Sequence, residues 1–207
     1  MLIPDIFFKF PLARPKKGII HIGAHKCEEE SLYTSLGLSS QKILWIEANP
    51  ELVKSQSHRP NLYQAVISDK DDELVQFMIT NNGESSSIYN FKTHEQEHPH
   101  VVEIGRVSLY TTTLDTFYDT HHLAYDQFDV MNIDIQGAEL VAFKGATRIL
   151  PFLRAIYAEV NEKELYDGCG MIDQVDSYLS QFGFRRVITS MTKHGWGDAL
   201  YFNTTYS

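Results

Sequence analysis

Short apolar runs rich in Ile and Val alternate along the chain with amphipathic stretches, the pattern of an α/β fold with a mainly parallel sheet. The first run, GIIHIG at 18–23, predicts a strand that stops at a glycine. Helix-forming EEESLYTSLG follows, with Gly37 as its stop signal. KILWIEA at 42–48 predicts a second strand, and NPELVKSQ a helix with Asn49 as N-cap and Pro50 at its first position. LYQAVIS at 62–68 predicts a third strand, and the alternation in ELVQFMIT at 73–80 predicts an edge strand. Residues 81–108 are polar, carry His94, His98 and His100, and show no clear period; they are expected to form a loop or lid. Beyond them, TTLDTFYDTHH predicts a helix capped by Thr113, and FDVMNIDI a buried strand ending in a carboxylate. GAELVAFKGATRIL predicts a helix ahead of Pro151, and RAIYAEV another strand ending in an acid. A helix over 171–182 and the strands RRVITS and DALYFN close the chain.

Composition narrows what such a sheet serves. The 207 residues, 43% hydrophobic and 22% charged, suit one globular domain with a full core. The net charge of −9 and the lack of a basic stripe argue against nucleic acid as partner. Two cysteines, Cys27 and Cys169, are too few for a disulfide framework and point to a reducing, cytoplasmic setting. No apolar run reaches the length of a membrane span. Residues 1–17, MLIPDIFFKFPLARPKK, have prolines and basic residues in the wrong places for a signal peptide. They read as an N-terminal arm whose aromatic face docks on the domain, 18–207, or on a second copy in a homodimer.

In open parallel sheets, ligands bind beyond the carboxyl ends of the strands. The polar residues placed there are Gly23 and His25, Glu47, Ser68 and Asp69, Asp134, and Glu159 with Asn161. A dinucleotide turn needs several glycines so that backbone can approach a pyrophosphate. Here His25 and Cys27 stand where two of them would be, and a single Gly23 permits one close approach. That favours an adenosyl ligand without phosphates, such as S-adenosylmethionine. Glu47 follows the turn at the spacing where an acid accepts bonds from ribose hydroxyls, its two oxygens matching two neighbouring O–H groups. His21 occupies the place where such turns often carry an acid, and a buried, satisfied histidine is the alternative reading.

The stretches HIGAHKCEEESLYTSLG, WIEANPELV, AVISDKDDE, TTLDTFYD, FDVMNIDIQGAELVAFKGA, AEVNEKELYDG and GWGDALYF, spanning about 18–203, resemble the FkbM-type S-adenosylmethionine-dependent methyltransferases. The run IDIQGAEL…KGA is the most specific. Cys27 departs from the pattern, standing where the family usually has a glycine. The resemblance implies a single-domain Rossmann-like class I fold with a mostly parallel seven-stranded sheet and an antiparallel last strand. It implies O-methylation of a sugar, glycan or small metabolite. Carried onto this chain, Gly23 and Ala24 approach the cofactor, with His25 and Glu29 flanking its amino-acid end and His21 among the cofactor-binding candidates. Glu47 takes the ribose with Asn49 nearby, Ser68 and Asp69 sit where adenine is read, and Asp134 lies beside the sulfonium and the acceptor.

Asp134 is the catalytic candidate, because a sugar hydroxyl is a poor nucleophile until a base shares its proton. It is equally placed to orient the hydroxyl, to hold the cofactor's ammonium, or to cap the GAEL helix. Glu139 is expected to be structural, in a first helical turn where the dipole favours an acid. No metal is required, although Asp134, Glu159 and Asn161 form a conceivable Mg²⁺ set; HEQEHPH is expected to be a solvated lid rather than a zinc site. Two rival readings are a nicotinamide-dependent oxidoreductase, which lacks its glycines here, and a catalytically inactive nucleoside-cofactor-binding module.

Overall fold

The structure, a computed structural model, describes residues 2–3 and 5–206. Its strands are β1 (Ile19–Ile22), β2 (Ile43–Glu47), β3 (Leu62–Gln64), β4 (Val66–Ile67), β5 (Leu74–Thr80), β6 (Glu103–Thr112), β7 (Val130–Ile133), β8 (Ala155–Asn161), β9 (Phe184–Met191) and β10 (Trp196–Asn203). Seven of them form one sheet in the order β3-β2-β1-β7-β8-β10-β9. β1, β2, β3, β7 and β8 are parallel, and β10 runs antiparallel to both β8 and β9. This is the mostly parallel sheet with an antiparallel last strand that the sequence led us to expect. The central strands β1, β2, β7 and β8 are buried along their whole length, which is why they read as continuous apolar runs rather than alternating ones.

The helices are α1 (Ile6–Lys9), α2 (Glu30–Ser35), α3 (Pro50–Ser55), α4 (His94–Glu97), α5 (Leu114–Thr120), α6 (Glu139–Lys144) and α7 (Ile172–Ser180). Two apolar clusters flank the sheet. Leu114, Phe117, Phe143, Ile149 and Leu179 belong to one, against Ile20, Met131 and Ile156. The other joins Tyr33, Trp45 and Tyr157 to the arm residues Ile3, Ile6, Phe7 and Ala13. Ile6 and Phe7 are fully buried, and Phe7 meets the Tyr33 ring edge-on at 6.2 Å. Burying two such side chains contributes roughly 3–6 kcal/mol, enough to hold a short arm in place. Met1 and Pro4 of the arm, and Ser207, lie outside the described residues. No helix among the described residues is long and apolar enough to cross a membrane.

Three sequence expectations need correction. LYQAVIS is two strands: β3 closes the main sheet, and β4 leaves it to pair with β6 in a second sheet of order β4-β6-β5. Its residues read as one mixed run with only Gln64 exposed, so nothing in them marked the split. Residues 103–108 are strand, not loop, because β6 pairs antiparallel with β5 over its whole length. Its alternation is weak since one face is open to solvent, with Ile104 and Tyr110 exposed. The GAEL helix is also short: α6 ends at Lys144, and Gly145 follows, where a Cβ would lie 2.0 Å from the Ser68 carbonyl oxygen.

Candidate cofactor and acceptor site

The turn after β1 is built by backbone geometry. Gly23 has φ +85°, and a Cβ there would lie 1.8 Å from the carbonyl oxygen of Asp134, so only glycine fits between β1 and β7. Gly23 and Ala24 both donate to the Ile46 carbonyl, at 2.9 and 3.1 Å. His25 (φ +46°) and Cys27 (φ +58°) then take left-handed conformations without being glycines. Each such residue costs about 1 kcal/mol or more, which neighbouring bonds must offset. The family's usual glycine at position 27 is explained by that angle. Cys27 is buried, and burial pushes its thiol up to about 12.

Glu47 holds this turn in place. Its Oε2 accepts from the His25 amide at 2.8 Å, and its Oε1 from the Asn49 amide at 2.7 Å. One carboxylate thus ties the turn after β1 to the start of α3. Burial raises its pKa, opposed by those two amide bonds. Asn49 itself caps α3, accepting from the Glu51 amide at 3.0 Å.

Two cavities open at the carboxyl ends of the strands. The narrower, about 60 Å³, runs past Glu47 and is walled by apolar side chains including Ile67, Phe77, Ile135 and Ala138. The wider, about 470 Å³, is polar and holds His21, Ala24, Glu29, Glu159, Tyr166 and Asp198. Gly23, His25, Glu84, Asp134 and Gln136 border both. His21, Gly23, Ala24, His25, Glu29, Glu47 and Asp134 are therefore brought together. Asn49, Ser68 and Asp69 line neither cavity. The Ser68 amide is bonded to Thr112 and its carbonyl is packed on Gly145, so β4 and β6 fix it away from the opening.

His21 is a buried member of a hydrogen-bonded chain. Asn132 donates to the Tyr33 hydroxyl at 2.8 Å, and that hydroxyl lies 3.0 Å from His21 Nδ1. Which of the two donates depends on the tautomer of His21. Burial lowers the pKa of His21, against a weaker opposing effect of Glu29.

Around Asp134 the sequence had shown the acids but not their link. Gln136 Nε2 donates to Asp134 Oδ1 at 2.6 Å and to Glu159 Oε2 at 3.1 Å, while its Oε1 accepts from the Tyr166 hydroxyl at 2.7 Å. Gln136 sits at φ +56°, and the segment 81–100 is fastened to it: the Ser87 hydroxyl donates to its carbonyl at 2.9 Å. Its signal was the run DIQGAEL, in which it stands between the acid and the helix. Burial and the charge of Asp198 raise Asp134 to about 6. Burial and the charge of Asp134 raise Glu139 to about 7, and Glu159 is held well above the usual range by burial and both neighbours. Glu139, expected to serve the dipole of α6, accepts from the Ile135 and Gly137 amides of the turn before it. Oxygens of Asp134, Glu139 and Glu159 lie within 4.8 Å of one another, a set able to hold a divalent cation. Asn161 is fully buried on β8, and among the described residues neither of its amide atoms has a hydrogen-bond partner.

The histidines of HEQEHPH line the wider cavity, and of them His94 is buried, His98 half-buried and His100 exposed. His94 stacks on Phe91 with ring centres 4.2 Å apart, and burial, with His98 next to it, lowers its pKa to about 4. Beneath them Leu165, Tyr166 and the buried Cys169 form a small apolar cluster with Met78. Asp198, on β10 opposite Glu159, accepts from the Tyr157 hydroxyl and from the Leu2 amide of the arm.

Residues 21–186 match the family model of the Methyltransferase FkbM domain. The chain is 25% identical over 205 residues to the 2-O-methyltransferase NoeI of Sinorhizobium fredii (strain NBRC 101917 / NGR234), covering 93% of this chain and 82% of that one. Among solved structures it is similar to magnesium protoporphyrin IX methyltransferase (ChlM) from Synechocystis PCC 6803 with bound SAM, at 11% identity and a TM-score of 0.39, over 90% of this chain and 69% of that one. A SAM dependent methyltransferase from Aquifex aeolicus gives 10% identity and a TM-score of 0.39, over 97% and 89%. The family match spans most of the chain, including the Gly23 turn, Glu47 and the DIQGAEL run, and the chain belongs to the FkbM methyltransferase family.

Proposed function

We propose that the protein is an S-adenosylmethionine-dependent O-methyltransferase acting on a hydroxyl of a sugar, glycan or small hydroxylated metabolite. The observation that carries this is the junction of the two cavities at Gly23 and Asp134. The narrow apolar cleft beside Glu47 suits an adenosine, with the carboxylate as ribose acceptor. The wide polar cavity suits a hydroxylated acceptor. Methyl transfer requires the acceptor oxygen in line with the sulfur–methyl bond, which is mainly a matter of positioning at such a junction.

Asp134 is the residue for the proton. Raised to about 6, its carboxyl is ionised at neutral pH yet basic enough to share a hydroxyl proton. Gln136 fixes its orientation from one side, leaving its second oxygen for the acceptor. NoeI is named as a 2-O-methyltransferase, which supports oxygen as the atom methylated here.

Calorimetry with S-adenosylhomocysteine and with NAD, followed by turnover of S-adenosylmethionine with hydroxylated acceptors, tests the reading. Binding of the first ligand, none of the second, and methyl transfer to oxygen are expected. Binding of NAD alone would overturn it, and cofactor binding without turnover on any acceptor would favour a binding-only module.

A further inference from the structure

We propose that the acceptor's reacting portion is uncharged, a neutral glycoside or polyol, and that phosphate, sulfate or carboxylate groups near the reacting hydroxyl are excluded. The inference rests on the O-methyltransferase reading and narrows its substrate. The wider cavity is lined by six carboxylates, Glu28, Glu29, Glu84, Asp134, Glu159 and Asp198, and among the described residues by no lysine or arginine. Phosphate-binding sites rely on such cations or on clustered free backbone amides. Here the amides of the Gly23 turn are already committed: Gly23 and Ala24 to the Ile46 carbonyl, His25 to Glu47.

The two buried histidines of the wall, His21 and His94, do not replace a cation. Burial inside the domain favours the neutral form of His21, whose ring meets the Tyr33 hydroxyl. His94 Nδ1 is buried with no partner, and its ring stacks on Phe91 rather than facing a carboxylate. Bound S-adenosylmethionine adds a single net positive charge, short of the lining's total even with Glu159 protonated. At an effective dielectric near 20, one phosphate charge about 5 Å from one carboxylate is disfavoured roughly 100-fold. Neutral hydroxyls gain from the same walls, because every carboxylate oxygen accepts from an O–H.

The exclusion also orders the reactions. A sugar still carrying its nucleotide diphosphate presents two phosphates next to the ring. For a glycoside acceptor, methylation therefore follows the glycosyl transfer that releases that diphosphate.

The test compares matched acceptors with the wild-type chain: methyl glycosides of common neutral sugars, the same sugars as 1-phosphates, and their nucleotide diphosphate forms. Release of S-adenosylhomocysteine gives kcat/KM. The neutral member of an accepted pair should exceed its phosphate by roughly 100-fold or more. Glu84→Lys, at an exposed lining position with no bonded partner, should narrow that ratio at least several-fold; an unchanged ratio would overturn the electrostatic cause. Phosphorylated forms used as well as neutral ones overturn the inference while leaving O-methylation standing. No turnover of any hydroxylated acceptor, with S-adenosylhomocysteine still bound, overturns the O-methyltransferase reading and this inference with it.

Discussion

Glu47→Gln separates the two jobs assigned to one side chain. In the native chain both carboxylate oxygens accept from backbone amides, His25 at 2.8 Å and Asn49 at 2.7 Å. A glutamine keeps one oxygen and puts an NH₂ where the other was, so one amide donor faces another donor. A hydrogen bond to a charged group is worth about 1.5–3 kcal/mol. Removing the charge also spares its burial, so the lower end, about 1.5 kcal/mol, is expected for folding. For a domain of this size that lowers the melting temperature by roughly 3–6 °C. Cofactor affinity should fall separately. The ribose loses a charged acceptor and the Gly23 turn loses a tether, so Kd for S-adenosylhomocysteine should rise roughly 10–100-fold. Urea or thermal melts without ligand read the first effect, and calorimetry well below the melting temperature reads the second. A variant as stable as wild type with unchanged affinity would refute both the tether and the ribose role. A stability loss with native affinity would leave Glu47 as a structural tie alone.

Asp134→Asn keeps the bond from Gln136 and removes the charge, so affinity for S-adenosylhomocysteine should hold while kcat falls by roughly 10²–10⁴; near-native turnover would remove Asp134 from the proton's path. If the Asp134, Glu139 and Glu159 oxygens hold a working cation, EDTA should abolish wild-type turnover and Mg²⁺ restore it; the proposed proton role predicts EDTA has no effect. Glu159 stays protonated in the folded chain at pH values where the unfolded chain, near its ordinary 4.5, has lost the proton. The folded state then binds more protons, and this group's contribution to stability falls as pH rises above that value. Glu159→Gln removes the penalty, so its stability relative to wild type should grow from pH 4 to pH 8 in urea melts; a difference flat with pH would refute the burial argument. Segment 81–100, fastened to Gln136 through Ser87, should be cut by trypsin or Glu-C protease more slowly when cofactor and acceptor are bound, and equal rates would argue against a lid.

The main sheet was legible because its central strands are buried on both faces, which leaves long Ile- and Val-rich runs. Caps were legible for the same local reason: Asn49 and Thr113 each accept from an amide two or three residues on, a contact written within a few positions. The second sheet was not. β6 finds its partner β5 far back in the chain, and its solvent face carries no consistent polarity to mark it. Glu47 and Asp134 could be placed because strand ends fix them. The bridging role of Gln136, the enclosure of His94, and the position of Asp198 beside Glu159 depend on contacts between distant segments. Ser68 and Asp69 were placed near the adenine by chain order; neither lines the narrow cleft, although the residues just before them, Val66 and Ile67, do.

The burial of both cysteines has a practical side. Maleimides and iodoacetamides attack thiolates that reagent can reach. Cys27 is enclosed and pushed to about 12, and Cys169 is enclosed with its pKa also raised by burial. A folded preparation should thus be silent toward such reagents without replacing either residue. One new cysteine at exposed Glu95, in α4, would then carry a single fluorophore on the segment covering the wide cavity. Opening and closing could be followed optically in an otherwise native sequence, and the sudden appearance of extra label would itself report unfolding.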